Sequence, residues 1–305
     1  SAQHEGTLVA PPRRWHDTLA ATTDLPVLLP SATGIAREAR AERTRGHFVL
    51  RLRAMHGVGL LLLLAVGCGV AEAQAGPGDP SILATLWKWT PLLLRGFVFN
   101  LAISAMAMAG GTAAGMLLGF AQSSLLRPVR SGAWVVTQFF RNAPWLVLLF
   151  YCMFLLPYQV TVFGVTIQIP DWIKATFGLA LPVMANVSEI LRGAVQSIPT
   201  GQWESAASLA FTRRQTMWMI ILPQCIKRML PPWMNLYAIL TMSTVLTSIV
   251  GVAEIMTLTG RVLSAENRPG LLLSFYAFVL VLFFLYCYPI ARWTVRLEAK
   301  YAVDH

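Results

Sequence analysis

Charged residues are scarce in this sequence. Asp, Glu, Lys and Arg make up only 12% of its 305 residues, whereas a soluble domain usually carries about 25%. Hydrophobic residues make up 56%, and several nearly uncharged runs reach the roughly 20 residues needed to cross a bilayer as a helix. The composition excludes an ordinary soluble domain and predicts a multi-pass membrane protein, with the lipid bilayer as a partner.

The residue types that build most enzyme sites are also scarce. All five histidines lie outside the predicted membrane core, at positions 4, 16, 47, 56 and 305. The four cysteines, at positions 68, 152, 225 and 287, have neither metal-ligand spacing nor a disulfide framework. None of the four lysines follows a glycine, so the sequence contains no P-loop for nucleotide. We therefore predict that the chain is not an enzyme, and that it has no catalytic residue, no metal site and no cofactor of its own.

Six apolar runs are predicted to span the membrane, at residues 57–71, 97–121, about 139–158, 172–191, 233–255 and 271–293. Backbone groups in lipid must be hydrogen-bonded within their own segment, so each run is predicted to be a helix. The predicted fold class is all-α, with five helices in the core and one extra helix near the N-terminus.

Positive charge is distributed unevenly between the two sides of these spans. With a cytoplasmic N-terminus, only five of the 24 Lys and Arg residues lie outside, namely Lys88, Arg95, Lys174, Arg261 and Arg268. Cytoplasmic loops of membrane proteins carry the excess of Lys and Arg, so both termini are predicted to be cytoplasmic. The net charge of +10 then belongs to loops and tails, and we predict no nucleic-acid partner.

This topology divides the chain into five parts. Residues 1–47 are a cytoplasmic tail with a basic surface helix, 48–75 an extra transmembrane helix, 76–96 an extracytoplasmic connector, 97–293 the core and 294–305 a cytoplasmic tail. The sequence Ala73-Gln74-Ala75 is similar to a signal-peptidase site. That similarity leaves open whether the first transmembrane helix is retained or cleaved.

One polar stretch interrupts the core, at residues 202–224: QWESAASLAFTRRQTMWMIILPQ. Thr200 and the glycine after it are typical of a helix start, and Thr212-Arg-Arg-Gln215 matches a capping box that begins a second helix. Pro223 is predicted to end or kink that second helix. We therefore expect two short helices and a tight turn at the cytoplasmic surface. The first helix would present small side chains to a groove on another protein: Ala206, Ala207 and Ala210.

The same stretch resembles a family motif. The residues that match E-A-A-x3-G-x9-I-x-L-P in spacing are Glu204, Ser205, Ala206, Ala210, Ile220, Leu222 and Pro223. This motif marks the permease subunits of bacterial ABC importers, and the flanking sequences SEILRGAVQSIPTGQWESA, LPPWMN and FFRNAP are similar to the polar amino acid uptake branch. The resemblance covers about residues 87–301 and implies a five-helix permease core. It also implies that residues 200–223 are coupling helices, which dock in a cleft of a cytoplasmic ATPase.

The resemblance implies partners and a function as well. The chain would be half of a permease dimer in a bacterial inner membrane, paired with itself or with a related subunit. Two ATP-binding subunits would hold ATP and Mg, and an extracytoplasmic binding protein would deliver a polar amino acid or a related compound such as an opine. Two other hypotheses stay open: an ion-coupled secondary transporter, and a membrane-anchored interaction protein that works through its basic N-terminal segment.

The sequence departs from the family pattern at three places. Ala210 replaces the glycine of the turn, and alanine resists a left-handed backbone by about 1 kcal/mol. The turn is therefore expected to fall at the next residues or not to be left-handed. The family's K-D-T-S-L is replaced by Met242-Ser-Thr-Val-Leu246, and a common tyrosine is replaced by Asn186. A second, different permease subunit would then supply the missing groups.

Polar residues inside the spans are candidates for the translocation pathway: Asn186, Glu189, Thr241, Thr244 and Ser248. The last three, with Gly251, would share one face of an α-helix. Their hydroxyls would either line an aqueous route or donate hydrogen bonds to their own helix backbone.

A charged pair is expected near the cytoplasmic end of the spans. An unpaired charge at depth costs a few kcal/mol, so Arg141 is expected to form a structural ion pair with Glu189. In the alternative, Arg141 extends to the headgroups and Glu189 pairs with Arg192.

Small residues recur every four positions in the first core span, at Ala107, Gly111, Gly115 and Gly119. Such spacing lets helix backbones approach closely. The stripe therefore indicates either plain helix packing or a surface along the pathway or the subunit interface.

Overall fold

The computed structural model describes residues 80–162 and 165–301, together with Gly59 and Gly69. The helices are α1 (Ile82–Gln122), α2 (Arg127–Asn142), α3 (Trp145–Leu155), α4 (Asp171–Gln196), α5 (Thr200–Ser208), α6 (Arg213–Gln215), α7 (Leu222–Ser243), α8 (Ile255–Glu266) and α9 (Leu271–Tyr301). A π-helical segment covers Thr216–Ile221, a 3₁₀ segment covers Thr244–Ser248, and two short strands are β1 (Gln159–Val162) and β2 (Val165–Gln168). The all-α prediction is confirmed. The predicted basic surface helix, the span at 57–71 and the Ala73-Gln74-Ala75 site lie outside the described residues, apart from the two glycines, which are helical.

Helices α1 and α4 form the centre of the fold, and the small-residue stripe lies between them. A Cβ added at Gly111 would lie 2.5 Å from Cγ1 of Val183, and one at Gly115 would lie 2.6 Å from the carbonyl oxygen of Met184. The two backbones therefore approach too closely for a larger side chain. Of the two interpretations of the stripe, helix packing is the one that the structure confirms.

Helix α1 is longer than the predicted span. It begins at Ile82 because Ser81 caps it, with the Ser81 Oγ accepting a hydrogen bond from the N–H of Ala84 at 3.3 Å. Most of the connector predicted at 76–96 is therefore helical. At about 1.5 Å per residue, the 41 residues of α1 exceed the thickness of a bilayer core. Among the described helices, α1 and α9 are long and apolar enough to cross a membrane.

The predicted span at 139–158 is wrong as a single helix. Helix α2 ends at Asn142, Ala143 is extended with φ −75° and ψ 136°, and α3 begins after Pro144. A proline disfavours α-helical geometry in the residue before it, so the chain breaks there. Helix α3 has only 11 residues and is too short to span a bilayer.

The predicted span at 233–255 is not a single α-helix either. Helix α7 ends at Ser243, a 3₁₀ segment follows, and α8 begins at Ile255. Gly251 lies in the intervening turn with a left-handed φ of +90°. Because a 3₁₀ segment has three residues per turn, the expected α-helical face does not continue from Thr244 to Gly251.

A β-hairpin joins α3 to α4, which the sequence analysis did not predict. Its antiparallel register pairs Gln159 with Gln168. Lys174 connects the residues on either side of this hairpin. Its fully buried side chain places Nζ 3.3 Å from the ring centroid of Tyr158 and 3.4 Å from Oδ1 of Asp171. The hairpin is thus attached to the first turn of α4.

Candidate functional site

We name residues 200–223 the elbow; they comprise α5, a turn, α6, the π segment and the first two residues of α7. The turn is left-handed at Ala210, with φ +58°. The N–H of Ala210 donates to the Ala207 carbonyl at 2.9 Å, and the N–H of Phe211 donates to the Ala206 carbonyl at 3.1 Å. This pair of bonds is the Schellman motif, which normally has glycine in the left-handed position. The expectation that alanine would avoid this conformation is wrong, because two backbone hydrogen bonds of about 0.5–1.5 kcal/mol each offset the strain.

The second half of the elbow starts at the predicted capping box, which the structure confirms. Thr212 Oγ1 accepts from the N–H of Gln215 at 3.3 Å, and the N–H of Thr212 donates to Gln215 Oε1 at 2.9 Å. Two of the unpaired N–H groups at this helix start are therefore satisfied.

Pro223 does not end the second helix, so of the two predicted effects only a kink is left. It lies in the first turn of α7, directly after the π segment, and the helix continues to Ser243. The N–H of Leu222 donates five residues back, to Met217. A proline lacks an N–H and its ring clashes with the carbonyl four residues earlier in an α-helix, so the wider π turn accommodates Pro223. Such π turns are frequent at functional sites.

The exposed tip of the elbow differs from the predicted face. Ala206 is 1% exposed and packs inside the chain, so it is not part of a free surface. The residues exposed there are Glu204, Ser205, Ala207, Ser208, Leu209 and Ala210. Leu209 is 71% exposed and is the one large apolar side chain of an otherwise small or polar tip.

The rest of the motif anchors the elbow. Ile220 and Leu222 pack against a buried cluster that includes Leu191 and Ile221, while Pro223 is exposed. Two hydrogen bonds add to this packing, from Gln224 Nε2 to Gln202 Oε1 at 3.3 Å and from Arg228 Nη1 to the Ser197 carbonyl at 2.6 Å. The elbow is therefore held against α4 and α7.

The charged cluster near the elbow contains the predicted Arg141–Glu189 pair together with the Glu189–Arg192 pair of the alternative. Glu189 Oε1 lies 3.6 Å from Arg141 Nη1 and also accepts hydrogen bonds from the guanidinium of Arg192, at 3.0 Å from Nε. Glu189 thus connects α2 with α4. Its second oxygen, Oε2, is buried without a hydrogen-bond partner among the described residues.

A buried polar junction lies near the other end of the spans, formed by Asn100, Thr244 and Glu254. Asn100 Nδ2 donates to Thr244 Oγ1 at 3.0 Å and to Glu254 Oε2 at 2.9 Å, and Asn100 Oδ1 accepts from the N–H of Ile255 at 3.2 Å. Glu254 also caps α8 by accepting from the N–H of Thr257 at 3.0 Å. All three side chains are fully buried, so the junction fixes α1 against the break between α7 and α8. Sequence reasoning missed Asn100, whose only signal is an amide within an apolar run.

The predicted pathway residues make local hydrogen bonds. The hydroxyls of Thr241, Thr244 and Ser248 donate to the carbonyls of Tyr237, Thr241 and Val245. Asn186 Nδ2 donates to the Pro182 carbonyl at 2.8 Å. For Thr241, Thr244 and Ser248, these are the hydrogen bonds to their own helix backbone that the second of the two alternatives predicts. Thr241 and Thr244 are buried, whereas Asn186, Glu189 and Ser248 are partly exposed.

An outer cleft lies beside the junction and was also missed from sequence. Its volume is about 680 Å³, and it is lined by Arg95, Asp171, Trp172 and the turn at Gly251–Ala253, among others. Arg95 and Asp171 have opposite charges, and no ion pair joins them within the described residues. The cleft is large enough for a small molecule. Arg95 offers a group for an anion, and Asp171, which also pairs with Lys174, offers one for a cation.

Comparison with known proteins gives concordant results. A family described as "Binding-protein-dependent transport system inner membrane component" matches residues 111–300. The chain is 32% identical over 212 residues to the probable amino-acid ABC transporter permease protein YckA of Bacillus subtilis. The matched residues make up 70% of this chain and 90% of YckA. It is also 33% identical over 184 residues to the glutamine transport system permease protein GlnP of Escherichia coli. The matched residues make up 60% of this chain and 82% of GlnP. The fold is similar to that in a crystal structure of an amino acid ABC transporter with histidines, at 24% identity and a TM-score of 0.63, over 73% of this chain and 99% of that chain.

Proposed function

We propose a function for this chain from one premise: it belongs to the family of inner membrane components of binding-protein-dependent transport systems. It is a multi-pass inner membrane protein and an ABC importer permease. Its substrate is a polar amino acid, which the names of YckA and GlnP support. The opine, the ion-coupled transporter and the membrane-anchored interaction protein have no support among these relatives.

The exposed elbow is the observation that carries the proposed mechanism. Two ATP-binding subunits hold ATP and Mg, and one of them receives the elbow tip around Glu204, Ala207 and Leu209. A second permease subunit completes the pathway, and an extracytoplasmic binding protein delivers the amino acid. The distribution of Lys and Arg supports a cytoplasmic elbow and cytoplasmic termini.

Packing explains how a movement of the elbow reaches the membrane. Ile220 and Leu222 are fixed to the cluster at the end of α4, so closure of the ATP-binding subunits displaces α4 and α7 together. Helix α7 leads to the buried junction, and the junction borders the outer cleft. Nucleotide must favour one arrangement by several kcal/mol to invert the population of inward-open and outward-open states.

The route for the amino acid follows from exposure. Asn186, Glu189 and Ser248 are partly exposed and contact the substrate, whereas Thr241 and Thr244 support the route from behind. Arg95 and Asp171 in the outer cleft suit the carboxylate and the ammonium of an amino acid that enters. Ser248→Ala is expected to raise KM for uptake, and unchanged uptake kinetics would remove Ser248 from the route.

The coupling role is tested by charge reversal at the elbow tip. Full-length chain carrying an affinity tag is purified from its native membrane in mild detergent, and the ATP-binding subunit that co-purifies is measured together with amino acid uptake. Glu204→Lys is expected to abolish both the co-purification of the ATP-binding subunit and the uptake of the amino acid. Glu298→Lys makes the same change at an exposed position of α9 and is expected to keep both. A Glu204→Lys variant that still co-purifies with the ATP-binding subunit and still supports uptake would contradict the proposal.

A further inference from the structure

We infer that the chain binds a phosphate group in an inner cleft beside the elbow, whose lining contains none of the proposed route residues Asn186, Glu189 and Ser248. The inner cleft has a volume of about 690 Å³, within the usual range for small-molecule sites. It lies between the turn that joins α1 to α2, the end of α4 and the elbow. Its lining includes Gln122, Arg130, Trp134, Arg192, Trp203 and Arg213.

Three guanidinium groups converge on this cleft from three separate elements. Arg130 comes from the first turn of α2, Arg192 from α4 and Arg213 from the first position of α6. They are between 21 and 83 positions apart in sequence, so helix periodicity cannot explain their convergence. No Asp or Glu lines the cleft among the described residues, so the positive charge along this lining is complementary to an anion from outside.

Existing partners account for only one of these arginines. Arg192 bonds to Glu189 and, through Nη1, to Gln196 Oε1 at 3.0 Å. Within the described part of the chain, Arg130 and Arg213 have no ion pair and no side-chain hydrogen bond. Arginine presents several N–H groups in a planar fork that matches the oxygens of a phosphate.

A buried amide adds an acceptor to the same lining. Gln122 is fixed through Nε2, which donates to Thr137 Oγ1 at 2.8 Å and also to Ser188. Its Oε1 is buried and has no hydrogen-bond partner among the described residues. Such an oxygen lacks a donor, which a hydroxyl of a phosphate-bearing ligand would supply.

One wall of the cleft is apolar and open. Leu125, Trp134 and Val135 line it and are more than half exposed. Tryptophans are enriched where a membrane meets water, and basic pockets between transmembrane helices on the cytoplasmic side bind anionic lipid headgroups. The phosphate can therefore come from an anionic lipid, with acyl chains on the apolar wall, or from a soluble phosphate.

Binding to the full-length chain in phosphatidylcholine nanodiscs tests the inference. One arm titrates phosphatidylglycerol, read by native mass spectrometry, and the other titrates inorganic phosphate, read by the rise in unfolding temperature. The double variant Arg130→Gln/Arg213→Gln is expected to weaken binding about tenfold or more, because each removes a charge-assisted hydrogen bond. The control Arg214→Gln/Lys227→Gln loses the same charge at exposed positions outside the cleft and is expected to change affinity less than about twofold.

Each possible result of this experiment either supports or overturns the inferred phosphate site. Cleft-dependent binding of phosphatidylglycerol alone identifies a lipid site, and cleft-dependent binding of inorganic phosphate identifies a site for soluble phosphate; both support the inference. Equal affinity in the two double variants, or no binding of either probe, overturns it. The readout is ligand binding, so failure of the proposed transport function would leave the result unaffected.

Discussion

The chain interrupts its helices in two very different ways, at the elbow and at the junction between α7 and α8. The elbow is built from hydrogen bonds between residues 206 and 215, and most of its tip is exposed. The junction depends on Asn100, which is 144 positions from Thr244, and all its side chains are buried. The backbone conformation of the elbow thus depends on nearby residues, whereas the junction connects α1 to the break between α7 and α8 through contacts that are distant in sequence.

The largest expected effect is at the junction. Asn100→Ala would leave Glu254 Oε2 and the N–H of Ile255 without a partner, and Thr244 Oγ1 would keep only its bond to the Thr241 carbonyl. An unsatisfied buried polar group costs about 1–3 kcal/mol, so the variant is expected to lose about 3 kcal/mol or more of unfolding free energy in detergent. Asn142→Ala removes an exposed amide that bonds only to Gln138 and is expected to change stability by less than about 0.5 kcal/mol. Equal losses in the two variants would show that the junction is not a structural centre.

The packing of α1 on α4 gives the next effect, with a matched pair of glycines. A Cβ at Gly115 would meet the Met184 carbonyl at 2.6 Å, whereas one at Gly110 would meet nothing within 4 Å. Gly115→Ala is expected to cost about 1–3 kcal/mol through overpacking. Gly110→Ala is expected to be neutral or stabilising by up to about 1 kcal/mol, through helix propensity. The comparison uses thermal unfolding, and a tolerated Gly115→Ala would argue against the close approach.

At the elbow, a stabilising change is expected. Ala210→Gly relieves the left-handed strain at φ +58°, which costs an alanine about 1–2 kcal/mol, although glycine also gains unfolded-state entropy. The net effect is a stabilisation of about 1 kcal/mol or less, seen as slower hydrogen exchange at the N–H groups of Ala210 and Phe211. Faster exchange in the variant would contradict the left-handed turn.

A surface pair gives the smallest effect and links the same two helices as the junction. Lys88 Nζ and Trp89 Nε1 donate to Glu266 Oε1 at 2.8 and 2.6 Å, and these hydrogen bonds hold the pKa of Glu266 below its ordinary value of 4.5. A lowered folded-state pKa adds stability above the ordinary value, and that stability is lost as pH falls through the lower one. Since Lys88 is largely exposed, the contribution is below about 1 kcal/mol. Unfolding temperatures from pH 6 to pH 3 should fall more for the wild type than for Glu266→Gln, and parallel curves would contradict the linkage.

The comparison of the two breaks also explains what the sequence could predict. Thr212 and Gln215 form a capping box three residues apart, so this helix start was visible in the sequence. Ala210 was expected to resist its conformation, because the hydrogen bonds that hold it depend on the whole turn. The partners of Asn100 and the convergence of Arg130 with Arg213 depend on tertiary contacts, which no local pattern records.

Helix boundaries show a different limit of the sequence. The run at 139–158 contains Arg141, Asn142 and Pro144, so the break before Pro144 had a local signal, which the hydropathy of the whole run outweighed. The alternating residues of β1 and β2 are typical of strands, but each strand has only four residues, which is too short for a clear pattern. Hydropathy therefore indicated the membrane part, while backbone chemistry at Pro144 and Gly251 divided two of the predicted spans.

The most direct test of the account is the accessibility of the elbow tip. Ala207→Cys is introduced after Cys68 is replaced by serine; Cys152, Cys225 and Cys287 are buried and give little background. A membrane-impermeant maleimide is applied to inside-out and right-side-out vesicles, with and without the ATP-binding subunits. We predict labelling only in inside-out vesicles, with protection when the ATP-binding subunits are bound. Labelling from the outer face, or no protection by those subunits, would contradict the account.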